Sequence, residues 1–208
     1  CVSETDLDPS QAAALPLAGL TADRALFRHG KLDSNNEVLI TGIGGGVSQM
    51  AFLFASAIGA SVSVTSGDRE KLKKMRQMGA VHTYNYREEW DRSAMANHIS
   101  FDLVIDSAGG DQLNKLVKLT KPGGTIVFYG ATTGLPAKLD LYRMFWNQIT
   151  LQGSTMGNDE EFKEMISFVD THQLVPVVDS QRSFENVLEA FDKMSEAQQL
   201  GKLVVTFD

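Results

Sequence analysis

Short apolar segments alternate along this chain with longer segments in which apolar residues recur every three or four positions. The first pattern predicts β-strands and the second predicts amphipathic helices. Strands are predicted at residues 37–41, 61–65, 82–86, 101–106, 125–129 and 149–154. Because helical segments separate them, the strands are expected to form a parallel sheet covered on both faces. The pattern therefore predicts an α/β fold, a doubly wound parallel sheet of about six strands.

Helices are predicted between these strands and on both sides of them. They cover residues 21–32, 47–58, 69–78 and 111–119, and one more begins after Asn158. Residues 1–11 are polar and acidic and are predicted as loop. At the other end, predicted strands at 175–178 and 202–207 flank a helix over about 184–194. The edges of these last two strands are expected to associate with another chain or to be disordered if no partner covers them.

A glycine-rich segment follows the first predicted strand directly, at residues 42–46. Glycines let the backbone approach a diphosphate closely, and a helix beginning near Val47 would direct its free N–H groups and its dipole at the negative charge. The strict G-x-G-x-x-G spacing is absent, because Val47 is the sixth residue counted from Gly42. The segment nevertheless predicts a nucleotide diphosphate site between strand and helix.

The end of the second predicted strand is where a dinucleotide-binding fold selects its cofactor. Ser66 ends the strand here, and Arg69 and Lys71 follow closely. A hydroxyl and two cations suit a 2′-phosphate, so NADP(H) is favoured over NAD(H). Asp68 keeps NAD(H) as an alternative cofactor, since in another register of the strand its carboxylate could bind the ribose hydroxyls. Otherwise Asp68 is an acidic residue in the first turn of a helix, where it complements the helix dipole.

Four motifs carry a family resemblance. They are AAALPLAGLTA at 12–22, GIGGGVS at 42–48, DSAGG at 106–110 and FYGAT at 128–132. Together they resemble the medium-chain dehydrogenase/reductase superfamily, in its zinc-type alcohol dehydrogenase-like and quinone oxidoreductase-like branch. The resemblance implies a Rossmann-type cofactor domain with a lead-in helix over residues 1–174. It also implies a C-terminal return segment over 175–208 that packs on an N-terminal, GroES-like catalytic domain, so the chain is expected to be a fragment that binds cofactor without turnover.

The same resemblance assigns roles along one crevice at the carboxyl ends of the strands. Gly45, Gly46 and Val47 would contact the diphosphate, and Ser66, Arg69 and Lys71 the 2′-phosphate. Tyr86 would lie near the adenosine, and the nicotinamide ribose near Ser107, Ala108 and Gly130. Sheet geometry adds Gly42, Ala131 and Thr132 to this crevice. Ser48 replaces the glycine usual after Gly-Gly-Val and is expected to widen the gap between helix and strand.

The composition of the chain indicates which kinds of partner it can bind and in which compartment it is found. The net charge of −7 argues against nucleic acids and anionic membranes as partners. No apolar run reaches the about 20 residues of a membrane span. The single cysteine, Cys1, permits no internal disulfide and no cysteine cluster for a metal, so a cytoplasmic location and a chain without metal are expected.

The implied parent protein is an NADPH-dependent oxidoreductase acting on an alcohol, aldehyde, ketone, quinone or enone; no catalytic residue is assigned to this chain. One alternative is a standalone nucleotide-binding sensor module without catalysis. Another is an S-adenosylmethionine methyltransferase, although Thr41 and Ser66 stand where that fold carries acids. The polar and apolar alternation from Ile149 to Ser154 suits an edge strand, and a homodimer through this edge is predicted.

Overall fold

A parallel sheet with the strand order β3-β2-β1-β4-β5-β6 forms the centre of the fold. The structure is a computed structural model that describes residues 7–207. The strands are β1 Glu37–Ile40, β2 Ser61–Ser66, β3 Thr83–Asn85, β4 Phe101–Asp106, β5 Thr120–Phe128 and β6 Thr150–Gly153. All neighbouring pairs run parallel. The predicted doubly wound sheet is confirmed, with the strand order reversing between β1 and β4.

Nine α-helices are present among residues 7–207. They are α1 Pro9–Ala14, α2 Pro16–Asp23, α3 Gly46–Ala57, α4 Arg69–Gln77, α5 Trp90–Ala96, α6 Gln112–Leu119, α7 Leu141–Trp146, α8 Asp159–Thr171 and α9 Val187–Ser195. A π-helix, Arg24–His29, continues α2, and a 3₁₀ turn, Phe184–Asn186, precedes α9. Two further strands, β7 Val178–Ser183 and β8 Lys202–Thr206, pair in parallel as a separate sheet. None of these helices is long and apolar enough to cross a bilayer.

Both faces of the sheet are covered, as the continuous apolar pattern of the strands requires. Val38 and Ile40 of β1 belong to a core cluster shared with α2, α3 and α8. Leu39, which points to the opposite face, belongs to a second cluster shared with α5 and α6. Because Val38, Leu39 and Ile40 are all buried, on one face or the other, β1 is fixed in the middle of the sheet.

The beginning of the chain is more helical than the sequence predicts. The predicted loop over 1–11 is wrong for residues 9–11, which lie in α1; residues 1–6 lie outside the described part of the chain. Asp8 explains the helix, since its carboxylate accepts the backbone N–H groups of Ser10 and Gln11 in a capping box. The helix predicted at 21–32 begins earlier, at Pro16, because proline is well placed in a first turn.

Two further elements differ from the predicted pattern. Strand β5 begins at Thr120, before the strand predicted at 125–129, and its pairing with β4 shifts between Phe101–Thr120 and Leu103–Thr125. An irregularity of this kind accommodates Gly123, whose φ is +77°. Helix α5 is absent from the prediction, although Trp90 at its start is buried in the second core cluster. Tertiary packing therefore creates an element that the local pattern does not reveal.

The C-terminal strands provide partners for each other. The strand predicted at 175–178 is wrong in its bounds, because β7 begins only at Val178 and continues through the polar residues up to Ser183. Pairing with β8, and not apolar alternation, determines this strand. Both strands also contact α1. Association through their outer edges stays a prediction.

Asp23 is predicted to make the stability of the fold depend on pH. Its side chain is buried where α2 passes into the π-helix. Burial raises the pKa of Asp23 to about 6, and the charges of Glu164 and Glu161 add to the rise while Arg28 opposes it. The folded state therefore holds this proton more tightly than the unfolded state, and stability is lost as the pH rises from about 4 to 6.

Asp23→Asn is expected to raise the free energy of unfolding at pH 7.5 by about 1–2 kcal/mol. The gain should fall to about a third of that value at pH 4.5, where the native carboxyl is protonated and the unfolded one is still largely ionised. Urea unfolding of both proteins at the two pH values measures the difference. An equal effect of the substitution at both pH values would contradict this account of Asp23.

Candidate functional site

A large crevice lies at the carboxyl ends of the parallel strands, where the strand order reverses. Its volume is about 650 Å³. Residues from six segments line it: Thr41, Gly42, Thr65, Tyr86, Trp90, Asp106, Ser107, Ala108, Asp111, Gln112, Leu116, Thr132, Thr133, Met194, Ala197 and Gln199. This is the position at which open α/β sheets bind their ligands.

The glycine loop enters the crevice between β1 and α3. Gly42 has a φ of +62°, a conformation that favours glycine. Helix α3 begins at Gly46, and its N-cap residue, Gly45, supplies no side chain to cap the first turn. The first N–H groups of a twelve-residue helix are thus left for a ligand, and the positive end of the helix dipole lies beside them. These features fit an anionic diphosphate.

The side chain of Ser48 stabilises the glycine loop. This side chain is buried, and its hydroxyl lies 2.8 Å from the carbonyl oxygen of Gly42 and 2.9 Å from that of Gly45, with its proton donated between them. The serine that replaces the usual glycine is accommodated because its hydroxyl satisfies two carbonyl groups of the turn. The first turn of α3 is therefore held against the end of β1 by a side chain.

The C-terminal return segment lies on the glycine loop, a contact that the sequence analysis did not foresee. The backbone N–H of Gly201 donates to the carbonyl oxygen of Gly44 over 3.1 Å. A Cβ added to Gly46 would lie 2.5 Å from Cδ of Lys202, so the stem of this lysine crosses the start of α3. A cation beside the positive end of a helix is unfavourable unless an anion joins them. Lys202 is therefore a candidate diphosphate ligand.

Asp68 does not face the crevice as a free carboxylate. One of its carboxylate oxygens accepts the backbone N–H groups of Glu70 at 2.7 Å and Lys71 at 3.2 Å. Asp68 is thus the N-cap of α4, as the alternative interpretation of the sequence proposed. Ser66 is buried at the end of β2, and its hydroxyl accepts the backbone N–H of Asp68 over 3.1 Å.

Lys71 faces the return segment. Its side chain is buried, and Nζ donates to the carbonyl oxygen of Ala197 over 2.5 Å, just beyond the C-terminal end of α9. Burial lowers the pKa of Lys71 from its ordinary value, although the charges of Asp68 and Asp179 offset part of that effect. In this position the lysine links the return segment to α4 and to the glycine loop through its hydrogen bond to Ala197.

The other basic residues near β2 have different surroundings. The guanidinium of Arg69 is largely exposed and forms an ion pair with Glu88 at 2.9 Å. Arg87, in the turn after β3, lies over the backbone of Gly67: a Cβ on this glycine would lie 2.8 Å from Nε of Arg87 and 2.7 Å from the hydroxyl of Tyr86. Among the predicted site residues, Tyr86 therefore lies beside the end of β2.

The loops after β4 and β5 form the other end of the crevice. The N–H of Thr132 donates to the carbonyl oxygen of Ser107 over 3.1 Å, and the N–H of Thr133 to that of Ala108 over 2.9 Å. Gly130 permits this approach, since a Cβ there would lie 3.0 Å from the carbonyl oxygen of Ser107. The structure thus brings Ser107, Ala108, Gly130, Ala131 and Thr132 together.

Asp106 is a structural carboxylate at this end of the site. It is fully buried, and its two oxygens accept the Thr41 hydroxyl at 2.5 Å and the Gly109 N–H at 2.8 Å. These bonds join the ends of β1 and β4 and hold the buried carboxylate in place, which is a structural role. Within residues 7–207 no group of three or more His, Cys, Asp or Glu side chains is placed to hold a metal ion.

Comparison with known proteins identifies the family. Residues 46–171 match the family model described as "Zinc-binding dehydrogenase". The chain belongs to this family. The resemblance to the medium-chain dehydrogenase/reductase superfamily is confirmed.

Individual relatives agree with this family. The chain is 37% identical to the zinc-type alcohol dehydrogenase-like protein YogA of Leptosphaeria maculans over 98% of its own length. It is 30% identical to a zinc-type alcohol dehydrogenase-like protein of Schizosaccharomyces pombe, again over 98% of its length. A crystal structure of an NAD-dependent alcohol dehydrogenase superimposes with a TM-score of 0.89 at 30% identity, covering 97% of this chain and 60% of that one. The chain spans 61% of each of the two curated relatives.

Proposed function

We propose that this chain is the cofactor-binding part of an NADPH-dependent oxidoreductase that transfers hydride to or from an alcohol, aldehyde, ketone, quinone or enone. The observation that carries the proposal is the uncapped N-terminus of α3, which lies under the glycine loop and beside Lys202 at the reversal of strand order. A helix N-terminus with free N–H groups and a lysine beside it suit the negative charge of a bound diphosphate.

The residues of the chain would hold the cofactor in a fixed order along the crevice. The loop residues Gly42, Gly45, Gly46 and Val47 would bind the diphosphate, and the end of β2 the adenosine ribose. The rigid pair of loops at Ser107–Ala108 and Gly130–Thr132 would orient the nicotinamide ring, whose hydride is the reacting group. In this scheme the chain binds and orients, and a neighbouring catalytic domain supplies the substrate pocket.

The proposed domain boundaries are those predicted from the sequence, and the return segment takes an additional role. Residues 1–174 are proposed as the dinucleotide-binding domain and 175–208 as the return segment. The contacts of Gly201 and Lys202 with the glycine loop make this segment part of the proposed diphosphate site as well. A cytoplasmic location is proposed from the cysteine content alone.

Calorimetric titration of the chain with NADPH and then NADH tests the proposal. Tight NADPH binding, weaker NADH binding and no turnover of alcohols or quinones by the chain alone are the expected results. Stronger binding of NADH would refute the preference for NADPH while leaving the dinucleotide site intact. If neither cofactor bound, this chain would not be a competent cofactor domain. If the intact gene product bound cofactor but turned over no substrate, the sensor alternative would replace the enzyme.

A homodimer through the outer edge of β6 belongs to the same proposal. Within the described chain β6 pairs only with β5, so one edge of this strand is open. Helix α7, directly before it, exposes Tyr142, Phe145 and Trp146, and the Tyr142 and Trp146 rings stack 6.2 Å apart. Exposed aromatic residues beside an open strand are typical of a protein interface. Sedimentation equilibrium should show a dimer that Trp146→Glu dissociates; a monomer at high concentration would refute it.

A further inference from the structure

We propose that Arg87 is the cation that recognises the 2′-phosphate of NADP(H), in place of Arg69 and Lys71, which were predicted from the sequence together with Ser66. The inference rests on the proposed function, since it concerns the adenosine ribose of the same dinucleotide. It makes the turn after β3, and not the first turn of α4, the determinant of cofactor choice.

Three cations come near the carboxyl end of β2, and two of them have partners. Lys71 is buried against Ala197 and is held 2.5 Å from a carbonyl oxygen of the return segment. To reach a 2′-phosphate it would have to leave that contact and expose the end of α9. Arg69 forms an ion pair with Glu88, and its side chain extends into solvent. Neither group is positioned for an anion at the end of β2.

Arg87 is positioned by the sheet itself. Strand β3 pairs in parallel with β2 so that Asn85 lies opposite Ser66. The side chain of Asn85 accepts the backbone N–H of Arg87 over 3.0 Å, and its carbonyl oxygen accepts the N–H of Glu88 at the same distance. This turn brings the chain back over Gly67, directly beyond the strand end where the adenosine ribose binds in such folds.

Gly67 provides the space that the arginine uses. A Cβ at this position would meet Nε of Arg87 and the ring of Tyr86, so both side chains lie on bare backbone. The hydroxyl of Tyr86 and the guanidinium of Arg87 therefore converge on Gly67, and Ser66, which carries a second hydroxyl, directly precedes it in the chain. Two hydroxyls and a planar fork of N–H donors are the groups that bind a phosphate monoester.

The charges around Arg87 leave it available for an anion. Asp68 is engaged as the cap of α4, and Glu88 is shared between Arg69 and the side-chain amide of Asn85. Within the described part of the chain Arg87 takes part in no ion pair. A 2′-phosphate would supply its counterion, whereas NADH would leave it solvated.

The test compares cofactor affinities of Arg87→Met with those of the native chain. NADPH should bind about 10- to 100-fold more weakly to the variant, as expected for the loss of charged hydrogen bonds. NADH should bind unchanged, because it lacks the phosphate. Arg87→Lys should restore part of the NADPH affinity. Arg92→Met is the matched control, because it removes an exposed arginine that is close in sequence but forms an ion pair with Glu89. It should leave both affinities unchanged.

Each other outcome has a definite meaning. Unchanged NADPH affinity in Arg87→Met, or an equal loss for NADPH and NADH, would overturn the assignment while leaving dinucleotide binding established. A loss confined to NADPH in Lys71→Met, with Arg87→Met unaffected, would return the phosphate to Lys71. If the native chain bound neither cofactor, the proposed function would fail before the question of Arg87 arose.

Discussion

Replacing Lys202 by methionine is expected to weaken the binding of NADPH and NADH alike, by about 10- to 100-fold. The lysine stem crosses Gly46 at the start of α3, where a diphosphate would lie between the helix N-terminus and the ammonium group. The diphosphate is common to both cofactors, so both should lose the same contact. Isothermal titration calorimetry measures the two dissociation constants directly.

The control for this experiment is Lys118→Met, which removes one positive charge from an exposed position on α6. Because Lys118 lies in the last turn of α6 and is not among the residues that line the crevice, only the long-range field of the chain changes and affinity should be preserved. A loss in Lys202→Met no larger than that in Lys118→Met would mean that Lys202 does not contact the cofactor. A loss confined to NADPH would move Lys202 to the 2′-phosphate.

The pair of variants at Lys202 and Arg87 divides the crevice into two subsites. The variant at Lys202 should weaken the binding of both cofactors, and the variant at Arg87 the binding of NADPH alone, since only the 2′-phosphate differs between the ligands. Measured on the same preparations, the two ratios report independently on the diphosphate and ribose ends of the site. Their free-energy losses should add in the double variant if the subsites do not share a partner.

The sequence predicts the central sheet because its strands carry local signals. Val38, Leu39 and Ile40 form a continuous apolar run, and glycines follow at once, which is the expected pattern of a strand buried on both faces. The periodic helices between the strands then allow only a parallel arrangement. The loops that form the crevice are located by the same argument, since they must follow the carboxyl ends.

Contacts between distant parts of the chain could not be predicted in this way. Lys71 is adjacent in sequence to the end of β2, and that position suggests a phosphate ligand. Its actual partner is the backbone carbonyl of Ala197, which is 126 residues away. Since every residue has such a carbonyl, the sequence does not show which one the lysine contacts. Lys202 follows a glycine in a short apolar strand, and nothing local shows that this strand begins on the glycine loop. Arg87, by contrast, carries a signal that is visible in the sequence, because it is a cation directly after the strand predicted at 82–86.

Gly201→Ala is expected to release the return segment and to abolish most cofactor binding. Gly201 has a φ of +102°, and an added Cβ would clash with the carbonyl oxygen of Val177. The clash would break the hydrogen bond from Gly201 to Gly44 and move Lys202 away from α3. The combined backbone strain and overpacking should cost about 3–4 kcal/mol. Urea unfolding, cleavage by trypsin at the return segment and titration with NADH measure the three effects.

Gly79→Ala is the control that separates the two effects expected in Gly201→Ala, the steric clash and the backbone strain. Gly79 has a nearly identical φ of +104°, but a Cβ there meets nothing within 4 Å. It should therefore cost only the about 1–2 kcal/mol of a left-handed alanine and leave NADH binding intact. If the two variants lost equal stability and both retained affinity, the contact between the return segment and the glycine loop would not matter for the site. A selective loss in Gly201→Ala would show that residues after 175 complete the diphosphate site, because no other part of the chain is altered.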